Sequence, residues 1–208
     1  MLTYDDLVTA LEDAWLAAGL HEHAFIESVI PASHDRTCKV ELFPEHDEPI
    51  SSDNIPPFLE LGFSWTPMHQ LISEGRPLPP EPLDLTWTYN ATLHGQQERS
   101  DLELVRMFQR AVQTAFERFY PAEAAEMPSV AVEVRRIYQP GSQRLQLDYV
   151  LLTSTTISDL FEQWPDRDAQ GIRNLLRVEL QLASAIINNL ADTFLPRGRG
   201  GYKSVDAA

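Results

Sequence analysis

The sequence predicts an α+β chain, an antiparallel sheet of about five to six strands with helices packed on one face, in the order α-β-β-β-β-α-β-β-α. Three observations carry this. Apolar residues recur at helical spacing near the start, in the middle and at the end of the chain. Between them lie runs in which apolar and polar residues alternate. Short turn-forming stretches join several of these runs, which favours hairpins over crossover connections.

The first helix is written at both ends. Thr3 is a good N-cap, Asp6 stands near the positive end of the helix dipole, and Leu2 and Leu7 are placed as a hydrophobic staple. Leu7, Leu11, Ala14, Trp15 and Ala18 share one face, and Gly19 supplies the stop, so a helix is expected over Tyr4 to Ala18. Strands follow at Ala24 to Ile30 and Arg36 to Phe43, joined by the turn-forming "ASHD". Between Pro31 and Pro82 the chain carries ten of its 15 prolines, in clusters that read as neither regular helix nor central strand. They flank two further strands, Phe58 to Trp65 and Leu83 to Leu93. In the second, Leu83, Leu85, Trp87, Tyr89, Ala91 and Leu93 face one way and the polar residues the other.

Ser100 and Glu103 read as a capping box for a second helix that runs to Tyr120, before Pro121. Val130 to Tyr138 and Arg144 to Leu152 form a second hairpin through the Pro140-Gly141 turn. A short helical piece is expected near Asp159 to Gln163, and a long final helix from about Asp168 to Phe194. Residues 1–196 read as one domain with proline-rich insertions around 44–57 and 66–82, and 197–208 as a flexible C-terminal tail.

Composition narrows the function classes. The chain has 208 residues and a net charge of −15. From Met1 to Glu98 there are 17 acidic and 3 basic residues, whereas from Arg99 to Ala208 there are 14 and 13. An anion-repelling first half argues against nucleic acid and anionic membrane as partners. The single "RGRGG" in the tail does not offset it. No apolar run reaches membrane-spanning length and the start is acidic and amphipathic, so the expected location is cytoplasmic. One cysteine, Cys38, excludes an internal disulfide and reads as a small buried group.

The last helix is the most informative surface. Arg173, Arg177, Gln181, Ser184, Asn188 and Asp192 form one narrow polar stripe, and nearly everything else is apolar. That arc is wider than one flank of a sheet covers. Two coverings compete: the first and second helices of the same chain flank it, or Leu175, Val178, Leu182, Ile186, Ile187, Leu190 and Phe194 meet a partner, with a homodimer the first candidate.

Chemical motifs are few. His21 and His23, with His46, Asp47 and Glu48 brought to the open end of the first hairpin, offer nitrogen and oxygen ligands for a divalent metal. The competing reading is that these histidines are exposed or close the preceding helix. The pairs Arg106 with Arg110 and Arg173 with Arg177 could clasp an anion, or lie as solvated edges. There is no phosphate-cradling loop, dinucleotide fingerprint or nucleophile elbow. The expectation is a non-enzymatic, chaperone- or adaptor-like interaction module that needs no cofactor and is homodimeric. Its further partner would be a protein with a basic or apolar surface. The alternative is a metal-dependent or small-ligand-binding enzyme at the histidine cluster.

The element order helix, three strands, helix, two strands, helix, together with the acidity, resembles the type III secretion chaperones. The resemblance implies a small, acidic, dimeric binding protein. The extra strand at Leu83 to Leu93 and the proline-rich insertions depart from that pattern.

Overall fold

The computed structural model describes residues 3–44, 55–76, 81–93, 99–121, 130–139, 146–157 and 169–194. In chain order the elements are α1 (Tyr4–Ala17), β1 (Leu20–Ile30), β2 (Asp35–Pro44), β3 (Phe58–Trp65), α2 (Pro67–Ser73), β4 (Leu85–Leu93), α3 (Asp101–Phe119), β5 (Glu133–Gln139), β6 (Gln146–Ile157) and α4 (Ala169–Phe194). The strands form one six-stranded antiparallel sheet in the order β1-β2-β3-β4-β6-β5, as an α+β chain should. The strand that departs from the chaperone pattern, β4, is thus a central one, between β3 and β6.

The described residues divide into two compact units. One takes in α1, β1, most of β2 and β3, α2 and the first half of α4; the other takes in α3, β5, most of β6 and the second half of α4.

In the first unit, α1 starts on a complete capping box. The Thr3 hydroxyl accepts from the Asp6 N–H at 3.1 Å and the Asp6 carboxylate accepts from the Thr3 N–H at 3.0 Å. Such a cap stabilises by about 1 kcal/mol. Gly19, at φ 70, then turns the chain out of the helix in a conformation that costs other residues more. Leu7, Leu11, Ala14 and Trp15 are buried. Beneath them, β2 and β3 alternate as written, with Cys38, Val40, Leu61, Phe63 and Trp65 in the core. The opposite face is polar, and Lys39 reaches Glu60 across it at 2.8 Å. The hairpin between β1 and β2 closes with the His34 N–H donating to the Ile30 carbonyl at 2.8 Å, and His34 itself takes the left-handed conformation at φ 61.

Two expectations are corrected here. The proline-rich stretch does contain a helix, because Pro67 stands at the first helical position, where the missing N–H has no acceptor to lose. Thr66 caps α2, and its N–H donates to His69 Nδ1 at 2.9 Å. His69 Nε2 in turn lies 2.9 Å from the Pro82 carbonyl and donates to it, which makes this buried ring the neutral Nε2–H tautomer. Second, β1 begins at Leu20, directly after Gly19, so His21 and His23 are exposed, as one side of the competing reading had it, but stand on a strand and do not finish a helix.

In the second unit, Ser100 caps α3 by accepting from the Glu103 N–H at 3.3 Å, while the Glu103 carboxylate lies 3.8 Å from Arg99. Leu104, Phe108, Ala111, Val112 and Ala115 form the buried stripe of α3. Asn189 of α4 donates to the Ala111 carbonyl at 3.1 Å, and the Phe108 and Phe194 rings lie 6.3 Å apart. The β5–β6 ladder runs from Glu133 opposite Leu152 to Gln139 opposite Gln146. The Leu2 staple, the expected helical piece near Asp159 and the tail lie outside the described residues.

Candidate functional site

Of the seven α4 positions expected at a partner surface, Leu182, Ile186, Ile187 and Leu190 lie in the chain's own core. Leu175 and Phe194 are half-buried, and only Val178 is exposed, at 39%. The polar stripe behaves as written, with Arg173, Arg177, Gln181 and Asp192 exposed. The apolar circumference is wide because the chain itself covers it. Leu176 and Leu180 are fully buried along the first half of α4, and α3 meets the second half through Phe108 and Ala111.

The metal candidates divide. His21 and His23 are exposed on β1, whereas His46, Asp47 and Glu48 lie outside the described residues. Among the described residues no group of three or more His, Cys, Asp or Glu side chains could hold a metal ion. The arginine pairs also differ from one another. Arg106 and Arg110 line a cavity of about 240 Å³ along one side of α3, but Glu103 is part of the same wall and opposes an anion there. Arg173 is 3.4 Å from Asp13 of α1, a carboxylate already in place.

A larger cavity, about 470 Å³, lies between the N-terminal turn of α1, the hairpin turn and α2. Tyr4, Trp65, Val29 and Leu71 are among its walls, with Arg36 and His34 beside them. The Arg36 guanidinium stacks 4.9 Å over the Tyr4 ring and is 3.7 Å from Asp5 and 3.8 Å from Glu27. Its charge is therefore matched from three directions.

Beneath this cavity the Tyr4 hydroxyl is buried with no hydrogen-bond partner of good geometry. Burial raises its pKa, and the neighbouring Cys38 and Glu27 add to the rise. Burial likewise pushes the Cys38 thiol up to about 11, against the lowering effect of the neighbouring Tyr4 hydroxyl, with Glu27 and Glu22 adding to the rise. A thiol held protonated in this way is a poor nucleophile. Native Cys38 should resist alkylation at pH 8 and react only on unfolding. The same shift sets a pH dependence. The unfolded thiol ionises near pH 9 and the folded one near 11, so the unfolded state holds fewer protons in that window. Stability then falls as pH rises through it, by about 2–3 kcal/mol. Urea melts at pH 8 and pH 11 check this, and a Cys38→Ser variant should flatten the part due to the thiol.

The feature that sequence reading did not single out is β1. It is eleven residues long and lies at the edge of the sheet, next to β2 alone among the described residues. Only Leu20 on it is buried, while Ile26, Val29 and Ile30 are 51%, 51% and 52% exposed. An edge strand offers a row of backbone donors and acceptors to any second strand, and proteins commonly blunt it with charge. The other edge, β5, is blunted in that way. It is seven residues long and carries exposed Glu133, Arg135 and Arg136 beside Ile137. Arg135 bonds Glu133 at 2.7 Å, which lowers the Glu133 pKa, and Arg136 pairs with Asp101. The signal for β1 was present as "AFIESVI", but which strand lies at an edge is decided by sheet order, a non-local property.

No protein-family model, curated protein or solved structure matches the chain. Among the described residues no helix is long and apolar enough to cross a membrane.

Proposed function

We propose that this chain is a non-enzymatic, cytoplasmic protein-interaction module, homodimeric, whose binding element is the β1 edge. The observation that carries the reading is the difference between the two described sheet edges: β1 has eleven residues with half-exposed Ile26, Val29 and Ile30 beside Glu22 and Glu27, whereas β5 has seven with half-exposed Ile137 beside Glu133, Arg135 and Arg136. Strand addition supplies main-chain hydrogen bonds for affinity, and alternate side chains for specificity. No described cavity brings together a nucleophile, a base and an orienting group, and the one cysteine is buried and protonated. Those features support binding over catalysis.

The acidic first half shapes the conditions. Two copies of a chain carrying −15 repel at long range, so association should strengthen as salt rises from low values to about 0.15 M, where the Debye length is about 8 Å. Light scattering over a concentration series at that salt should show a dimer. Ile26→Lys should return the protein to monomer while changing stability by no more than about 0.5 kcal/mol, since the side chain is half in water already. A wild-type protein that stays monomeric, or a variant that dimerises unchanged, contradicts the reading.

A further inference from the structure

We infer that His69 is an acid-released latch: the neutral ring ties the start of α2 to the chain at Pro82, and a proton taken up at Nδ1 undoes the tie. α2 has seven residues, too few for a helix to persist on propensity alone. Its start is held by a reciprocal cap, and both halves run through His69. The Thr66 N–H donates to His69 Nδ1 at 2.9 Å, and the His69 N–H donates to the Thr66 hydroxyl at 3.4 Å. The other ring nitrogen donates to the Pro82 carbonyl at 2.9 Å, 13 residues further along the chain. The ring is 2% exposed, so bulk water does not replace a partner that is lost.

A ring engaged in this way has no place for a second proton. Protonated imidazole is a donor at both nitrogens, which sets Nδ1–H against the Thr66 N–H, donor facing donor. The Thr66 hydroxyl, 3.3 Å from Nδ1, is an alternative acceptor, and it already donates to Glu81 at 2.9 Å. Even when it accepts, the Thr66 N–H loses its partner and the main-chain half of the cap is gone.

Trp65 of β3 brings an uncharged indole to the ring, with centroids 5.6 Å apart, and behind it Tyr4 of α1 carries Arg36 on its face at 4.9 Å. Glu81, one hydroxyl away, favours a charged ring and limits the release. Glu74, Arg76 and Asp84 are exposed, and residues 77–80 carry no ionisable group. Pro67, Gln70 and Leu71 form part of the wall of the larger cavity, so freeing α2 opens it. The latched state excludes a proton that the released state accepts, and acid therefore favours release. A free imidazole ionises at about pH 6.5, which weights the released state by about tenfold at pH 5.5.

Amide hydrogen exchange of the whole chain, at one protein concentration and corrected for the intrinsic pH dependence of exchange, reads the latch. Protection at Gln70, Glu74 and Gly75 should fall by about tenfold from pH 7.5 to pH 5.5 while the amides of α1 hold theirs. In His69→Gln, whose side-chain oxygen accepts from the Thr66 N–H at either pH, protection of α2 should stay level. Wild-type protection that is equal at the two pH values, a fall shared by α1, or the same fall in His69→Gln overturns the latch. Where His69→Gln does not fold, nitrogen NMR of the wild-type ring decides in its place. The Thr66 amide proton should then move together with protonation of Nδ1. A ring that stays neutral down to pH 5, or a Thr66 amide that does not move as the ring charges, overturns the inference.

Discussion

Replacing Ile187 with glutamate should unfold the chain or cost more than about 4 kcal/mol of stability, read as the urea midpoint shift of the monomer. Ile187 has no exposed surface. The substitution removes a buried apolar side chain and places a carboxylate where Ile186 and Leu190 are also buried, with no cation described beside it. The same change on an interface would leave the fold intact and abolish only association, because the glutamate would sit in water in the free subunit. A folded, stable Ile187→Glu protein would return α4 to the surface and contradict the burial on which the present account rests.

Phe108→Ala should destabilise by about 3–5 kcal/mol, the range for truncating a buried aromatic when its surroundings relax only partly. Phe108 is fully buried in α3 and its ring lies 6.3 Å from that of Phe194, the last residue of α4. Phe194 is only half-buried, so Phe194→Ala should cost less, and the double variant less than the sum, because the two truncations remove one shared contact. Strict additivity would mean that Phe194 packs elsewhere. Chemical denaturation of the four proteins completes the cycle.

Much of the fold is legible in the sequence because local rules decide it. Thr3 and Asp6 announce the start of α1, Gly19 its end, and the alternation from Leu85 to Leu93 states both the strand and its buried face. Where a local rule has an exception the reading fails. Pro67 excludes a helix interior but suits a helix start, and the pattern Thr66-Pro67 with His69 was the available signal for α2. His21 and His23 fall before the strand expected from Ala24, and the strand takes them in because Gly19 turns the chain abruptly and β1 starts at Leu20.

The site was less legible, and for a different reason. An apolar arc on α4 states that something covers it, not what does. The packing agrees with the reading in which the chain's own second helix covers it, through Phe108 and Ala111 of α3, and three of the exposed large apolar residues lie on β1. Edge position depends on the order β1-β2-β3-β4-β6-β5, in which β4 and β6 are neighbours with α3 and β5 between them in sequence. No local pattern encodes that order. The charge guard on β5, Glu133 with Arg135 and Arg136, was readable, but its meaning appears only once β5 is known to lie at an edge.

Residue-resolved amide hydrogen exchange across a protein concentration series tests the central claim most directly. Outward-facing amides of β1 should gain protection as concentration rises through the association range, while those of β5 stay unchanged. Exchange at β1 that is independent of concentration, or protection that grows at β5 or along α4 instead, would contradict it.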